Sequence, residues 1–281
     1  APGSYTRLKT VSYPAGSWAT YQYDSEGRTS VKITPWKNSS LDSSASSAKT
    51  TYSSYTPHDP RDTLPPDDHR PRTVEVKILG TTISKTYHAY YFDNGQYVEI
   101  TERCASAGAA YGDSSNLRSE VRYYAPGDCT SPSAGRIYRE TFPDGTCKTY
   151  SYEYGNWTPN ADPAQSSFAG GSGSAVKMSV VNGTTVSPGG IAGKSVKNIT
   201  IYDEFGNVVK SEKQIYIGSG YESIGWTVCV YDELSRLTNE YSSNNTSNSY
   251  AWNCCAKESE TLADGTQYTY AYDAMKRLTS K

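Results

Sequence analysis

Three stretches of this chain superpose without a gap: Tyr13 to Asp24 (YPAGSWATYQYD), Phe142 to Glu153 (FPDGTCKTYSYE) and Leu262 to Asp273 (LADGTQYTYAYD). In each, a turn pair is followed by a glycine (Gly16, Gly145, Gly265), then Ser or Thr. A Tyr-x-Tyr doublet comes next, Tyr21/Tyr23, Tyr150/Tyr152 and Tyr270/Tyr272, closed by Asp or Glu. Glycine at that point supplies the positive φ that a tight hairpin needs, and a Tyr-x-Tyr doublet has the period of a strand, so both rings project from one face. Recurrence at fixed offsets is the mark of a repeat architecture, in which each unit is one supersecondary element stacked on the next.

A second half-unit follows the first: YDSEGRTS from Tyr23, YDEFGNVV from Tyr202, YDELSRLT from Tyr231 and YDAMKRLT from Tyr272. Asp24, Asp203, Asp232 and Asp273 open turns in which a carboxylate can accept backbone N–H bonds. Gly27 and Gly206 then reverse the chain, while Ser235 and Lys276 stand in the corresponding place in the other two copies. Together the halves read strand, turn, strand, turn. With 26 Tyr against 4 Phe and 2 Met, and 23 Gly and 14 Pro for punctuation, the expectation is an all-β chain of repeated antiparallel hairpins.

These residues resemble the YD-repeat, or rearrangement-hotspot (RHS), family, whose hallmark is a Gly turn, Tyr-x-Tyr-Asp, two residues and Gly-Arg-Leu. The resemblance implies a curved or spiralling sheet, a structural or interaction role as wall, stalk or shell, and an exported protein, secreted or at the cell surface. It divides the chain into repeat hairpins at 1–36, 125–160 and 196–281, with repeat-poor segments between them. Of these, 37–72 is Ser/Pro/Asp-rich and reads as an exposed loop or linker. Residues 73–124 alternate and contain Asp93-Asn94-Gly95, a hairpin turn, giving two or three strands at its start. Residues 161–195 are Gly/Ser-rich, with a loop and one irregular hairpin. Tyr152-Glu153-Tyr154-Gly155 is one residue short of the repeat, which suggests a different turn or a bulge there. Because the repeat runs into both ends, further repeats or other copies of the chain are the expected partners.

The formal charge is −2, from 27 basic and 29 acidic residues without long runs of one sign, which leaves no footprint for nucleic acid. No stretch has the ~18 apolar residues of a membrane span and no charged-then-apolar leader precedes Ala1, so no membrane insertion is expected. Cys104, Cys129, Cys147, Cys229, Cys254 and Cys255 favour bridges or buried thiols over metal ligation, since no zinc-type spacing exists. Cys254 and Cys255, being adjacent, are poorly placed to bridge each other. No cofactor fingerprint is present.

The chemistry-bearing candidates lie where the repeat lapses. His88 and Tyr90 share one side of a strand-like run, and Arg118, Glu120, Arg122 and Tyr124 form a second polar stripe at period 2. As a solvated face the second stripe makes weak cross-strand ion pairs. As a groove it suits a uronate-containing glycan, with Arg118 and Arg122 neutralising a carboxylate and His88, Tyr90 or Tyr124 moving a proton in β-elimination by a polysaccharide lyase. Glycan binding without chemistry, on the tyrosines and tryptophans, is a further reading. His58 and His69 read as solvated loop residues.

Overall fold

The computed structural model describes residues 7–41, 43–63, 68–127, 131–186 and 190–281, so Cys129 lies outside them. It is built of β-strands: among the described residues the only helical piece is one 3₁₀ turn at Pro163–Gln165, where the Asp162 side chain accepts the Ala164 N–H. The chain divides into two compact units, residues 1–125 with 140–144, and 126–139 with 145–281.

The first unit holds β1 (Thr10–Ser12), β2 (Trp18–Tyr23), β3 (Thr29–Thr34), β4 (Lys49–Ser54), β5 (Thr73–Ile78), β6 (Thr81–Asp93), β7 (Gln96–Arg103) and β8 (Leu117–Tyr123). Each pairs antiparallel with the next. The expected strands after residue 73 are β5, β6 and β7, and the turns between them are Leu79-Gly80 and Asn94-Gly95, all four residues at positive φ. Two small cores form on this ladder. Ala89, Tyr91, Val98 and Ile100 pack under Tyr111, and Trp18, Ile33 and Ala48 pack with Val31 and Ala45.

Residues 37–72 are not the exposed linker that their composition suggests. They contribute β4, which fills the place between β3 and β5, and Ala45 and Ala48, which cover Trp18. Beyond β4 they carry charge inward. Arg72 is bound by Asp62 through two hydrogen bonds of 2.6 and 3.0 Å, both side chains being buried. Asp62 also accepts the Tyr90 N–H at 3.2 Å, and the Arg72 carbonyl accepts the His88 N–H at 2.9 Å. Strand β5 begins opposite Tyr87, so this segment supplies acceptors to the edge of β6 that β5 leaves open. A charge-rich stretch reads as solvated because sequence shows the charges and not their partners.

After β9 (Ile137–Thr141) comes β10 (Thr146–Thr158), and Gly145, at φ 80°, sits between the two. The second unit continues with β11 (Ser167–Gly170), β12 (Ala175–Val186), β13 (Gly190–Tyr202), β14 (Val208–Tyr216), β15 (Tyr221–Tyr231), β16 (Leu237–Ser242), β17 (Ser247–Trp252), β18 (Lys257–Thr261) and β19 (Gln267–Thr269). Strand β10 pairs with both β11 and β12, and from β12 to β19 each strand pairs antiparallel with the next. Strands β20 (Ala271–Tyr272) and β21 (Leu278–Ser280) make a separate two-stranded ribbon.

No turn or bulge interrupts Tyr152-Glu153-Tyr154-Gly155. Strand β10 runs through these residues, with Tyr152 opposite Met178 and Gly155 opposite both Ala175 and Gly170. Gly155 is a close-approach glycine here, since a Cβ would overlap the Ala169 carbonyl and the Phe168 ring. The Gly/Ser-rich 161–195 region gives β11, β12 and the start of β13, a hairpin longer than its composition suggests, with one register shift between Asn182 and Thr184.

One turn recurs through the ladder. At residues 13–17, 24–28, 203–207, 232–236, 242–246, 262–266 and 273–277, the first residue donates its N–H to the carbonyl of the fifth, and the fourth donates back to the first. The fourth residue is at positive φ in every copy: Gly16, Gly27, Gly206, Ser235, Asn245, Gly265 and Lys276. This is a three-residue hairpin loop closed by a left-handed residue. Both half-units of the repeat are therefore the same turn with different first residues. Where that residue is Asp, its Oδ1 accepts the N–H of the fifth residue and, at Asp203, Asp232 and Asp273, that of the third. Its Oδ2 then holds the fifth side chain: Arg28, Arg236 and Arg277 through Nε, each at 2.7 Å, and Asn207 through Nδ2 at 3.0 Å. The register shifts at the preceding Tyr in each Tyr-Asp hairpin, at Gln22/Tyr23, Ile201/Tyr202, Val230/Tyr231 and Ala271/Tyr272. Three of those tyrosines tie their hydroxyls to backbone, Tyr23 to Leu8 O, Tyr231 to Val208 O and Tyr272 to Lys257 O.

Candidate functional site: a split polar face and an aromatic cleft

The two polar stripes do not meet. Register through β6, β7 and β8 aligns Tyr87 with Glu102 and Arg118, Ala89 with Ile100 and Glu120, and Tyr91 with Val98 and Arg122. Cross-strand partners share a face, so Arg118 and Arg122 stand on the side of the Tyr91 core. His88 aligns with Thr101 and Ser119, and Tyr90 with Glu99 and Val121, on the opposite side. Tyr124 follows β8 with the parity of Arg122. The candidates for a uronate groove are therefore split across the sheet, Arg118, Arg122 and Tyr124 on one side and His88 and Tyr90 on the other.

Each half is also internally paired. Arg122 binds Glu120 at 2.5 Å and Asp93 at 2.9 Å, and Arg118 lies 3.4 Å from the buried Glu102 carboxylate. Glu102 further accepts the Gly112 N–H and the Asn116 Nδ2, fastening the 104–116 loop over this face. On the other side the rings of His88 and Tyr90 are nearly parallel, 6.3 Å apart, with the Arg70 and Arg72 guanidinium groups 4.2 and 4.8 Å from the Tyr90 ring. Burial and the Arg72 charge lower the His88 pKa, and burial raises that of the Tyr90 hydroxyl. Asp68 would be pushed up by burial, but its bonds to Arg70 and the nearby Arg72 hold it down at about 2. Of the loop histidines, His58 shares a 2.6 Å hydrogen bond with Thr73 and packs edge-on to Tyr87, while His69 is exposed. Among the described residues no group of three or more His, Cys, Asp or Glu could hold a metal ion.

A cleft that the sequence did not reveal lies within the second unit. It has a volume of about 630 Å³ and is walled by Trp157, Pro159, Phe205, Val209, Tyr231 and Tyr241. The 158–166 segment that forms one bank is held by the bond from Asn160 N–H to the buried Ser166 hydroxyl and by the Asp162 cap. The charged side chains along the cleft are Asp203, Asp232 and Glu233, and no Lys, Arg or His lines it. Asp203 and Asp232 have their carboxylates engaged in the recurring turn. Burial pushes the Cys229 thiol up, and burial with the nearby Cys229 takes the Tyr231 hydroxyl up to about 12, so both are protonated at neutral pH. Phe205 forms the rim and is 75% exposed. It is the third residue of its turn, a place taken by the exposed Leu234 and Met275 in the sister turns. An apolar residue in that place of Tyr-Asp-x-x was the available sequence signal.

Fold and cleft together define an all-β protein of tandem antiparallel hairpins in which one turn recurs. No protein-family model matches the chain, and no curated protein matches it. Among solved structures, one described as the crystal structure of TcdB2-TccC3-Cdc42 aligns with 94% of this chain at 13% identity and a TM-score of 0.26. The alignment spans 15% of that chain, and a likeness so distant carries no argument about function.

Proposed function

We propose that this chain is a wall section of a YD-repeat protein, a structural and interaction module that associates edge to edge with further repeats or with copies of itself. What carries the reading is the unbroken succession of sequence-adjacent hairpins from β15 to β19, all but β17–β18 closed by the same turn, which is how a scaffold is extended unit by unit. The β20–β21 ribbon adds to it. Its hairpin leaves Met275 and Leu278 exposed. Pairing with another strand would complete the ribbon. An exported protein, secreted or at the cell surface, is part of the same proposal. Light scattering across a concentration series tests the association: growth in mass with concentration, lost when Thr279→Pro blocks β21, is expected. A monomer at every concentration, with β21 amides already protected from exchange, would remove self-association.

The cleft supports a second reading, binding of a neutral glycan without chemistry. Exposed and half-exposed rings at Phe205 and Trp157 offer faces for a pyranose, and Asn160, Asn207 and Glu233 offer hydrogen bonds to hydroxyls. Three carboxylates and no base disfavour a uronate. In a glycan array with matched neutral and uronate oligosaccharides, retention of neutral sugars alone, weakened about tenfold by Phe205→Ala (~1.4 kcal/mol), is expected. Retention of uronates, or indifference to Phe205, would overturn it.

A further inference from the structure

The vicinal pair Cys254-Cys255 is set in a turn of its own. Residues 253–256 join β17 to β18, where Asn253 donates its N–H to the Ala256 carbonyl and its Oδ1 accepts the N–H groups of Cys255 and Ala256. Arg236, from the neighbouring Tyr-Asp turn, donates through Nη1 to the Asn253 carbonyl at 2.5 Å. The backbone is thus fixed on both sides of the pair. Both cysteines are exposed, and their sulfurs stand 2.8 Å apart. Of the other described cysteines, Cys147 is buried and Cys104 and Cys229 are half-buried, with their thiols pushed up by burial at the latter two.

We infer that Cys254 and Cys255 form a thiol–disulfide exchange site, oxidised to a vicinal disulfide by small-molecule disulfides and returned to the dithiol by small-molecule thiols. The steps balance. One cysteine thiolate attacks the reagent disulfide, forming a mixed disulfide and expelling one reagent thiolate, which takes up the proton lost by the protein. The second cysteine then attacks the protein sulfur of that mixed disulfide, expels the other reagent thiolate and loses its own proton. The protein has given up two hydrogens and two electrons, and the reagent disulfide has become two thiols.

Geometry explains why the bridge is reversible. Adjacent Cα atoms are about 3.8 Å apart across a trans peptide, whereas a relaxed disulfide spans roughly 4.4–6.8 Å between Cα atoms. The expectation from sequence that the two are poorly placed to bridge is therefore a statement about strain. Strained and exposed disulfides are the ones that thiols reduce. The two sulfurs, 2.8 Å apart across one peptide unit, already face each other before closure. The neighbouring Cys254 thiol holds the Cys255 pKa up, and the charges of Lys276 and Arg236 offset part of that.

The test is mass spectrometry of the reduced full chain after treatment with oxidised glutathione, then alkylation and digestion. The peptide carrying Cys254 and Cys255 is expected to lose two hydrogens and escape alkylation, and to regain both after reduced glutathione. Cys254→Ser, exposed and unable to close the ring, is expected to accumulate a stable glutathione adduct on Cys255. A wild-type peptide that is alkylated at both sulfurs, or that keeps a glutathione adduct instead of closing, would overturn the inference.

Discussion

Ser235 and Lys276 hold a backbone conformation that glycine holds in the sister turns, at φ 57° and 61° against 86° for Gly206. The left-handed region costs a residue with a Cβ about 1–2 kcal/mol, partly offset by the entropy glycine loses on folding. Ser235→Gly and Lys276→Gly should each raise the unfolding free energy by about 0.5–1 kcal/mol in urea denaturation, and Gly206→Ala should lower it by about 1 kcal/mol. Nothing lies within 4 Å of a Cβ built on Gly206, so its effect would be one of backbone alone. Titration acts at the same scale. At Asp24 burial works upward, yet the bonds from Arg28 bring the pKa below its usual value, and at Asp232 and Asp273 bonds from Arg236 and Arg277 do so directly. A carboxylate with a lowered folded pKa lends stability that is complete above its unfolded value, near 3.9, and is lost as pH falls through the folded value. His88, also lowered, lends stability that is complete above about 6.5 and declines as pH falls below it. His58 is lowered too, so the urea midpoint should fall in two stages on acidification, and His88→Gln should diminish the upper one.

At the scale of elements, the edge of β6 depends on a buried ion pair. Asp62→Ala leaves Arg72 buried without its main partner and takes the acceptor from the Tyr90 N–H, and should cost about 3–5 kcal/mol. Its signature would be faster hydrogen exchange at the Tyr90 amide before that of Ile100. Tyr91→Phe in the same core should be neutral or slightly stabilising, because the Tyr91 hydroxyl is buried without a hydrogen-bond partner. These contacts also mark where sequence reading stops. The Tyr-Asp turns were legible because Asp and Gly act within five residues, and β5 to β7 because alternation and Asn-Gly are local. Strand β4 and the Asp62–Arg72 edge were not, since their charged residues are satisfied by partners ten or more residues away. The Trp252-Asn253 turn escaped notice because Trp and Asn replace Tyr and Asp, although Trp252 shifts the register and bonds the Leu237 carbonyl much as the tyrosines do. The split of the candidate residues across two faces escaped the sequence for a related reason. Each stripe was read correctly along its own strand, but which stripes share a face is set by register across β6, β7 and β8, and that is absent from either stripe alone.

For the whole molecule, the consequence of sequence-adjacent pairing is that stability accrues hairpin by hairpin, as in other repeat proteins. Removing residues 262–281 should leave β12 to β16 folded, with their exchange protection unchanged, and destabilise mainly β17 and β18. That seven of the hairpins re-use one five-residue turn is the feature from which both the architecture and the proposed role as a wall follow. Residue-resolved amide exchange over residues 232–236, 242–246 and 273–277 tests it most directly. Protection is expected at the first and fourth amides of each turn, Asp232 and Ser235, Ser242 and Asn245, Asp273 and Lys276, with fast exchange at the second, Glu233, Ser243 excepted because it bonds the Trp226 carbonyl, and Ala274. Loss of protection at the first or fourth amide of any of these turns, or slow exchange at Glu233 and Ala274, would contradict it.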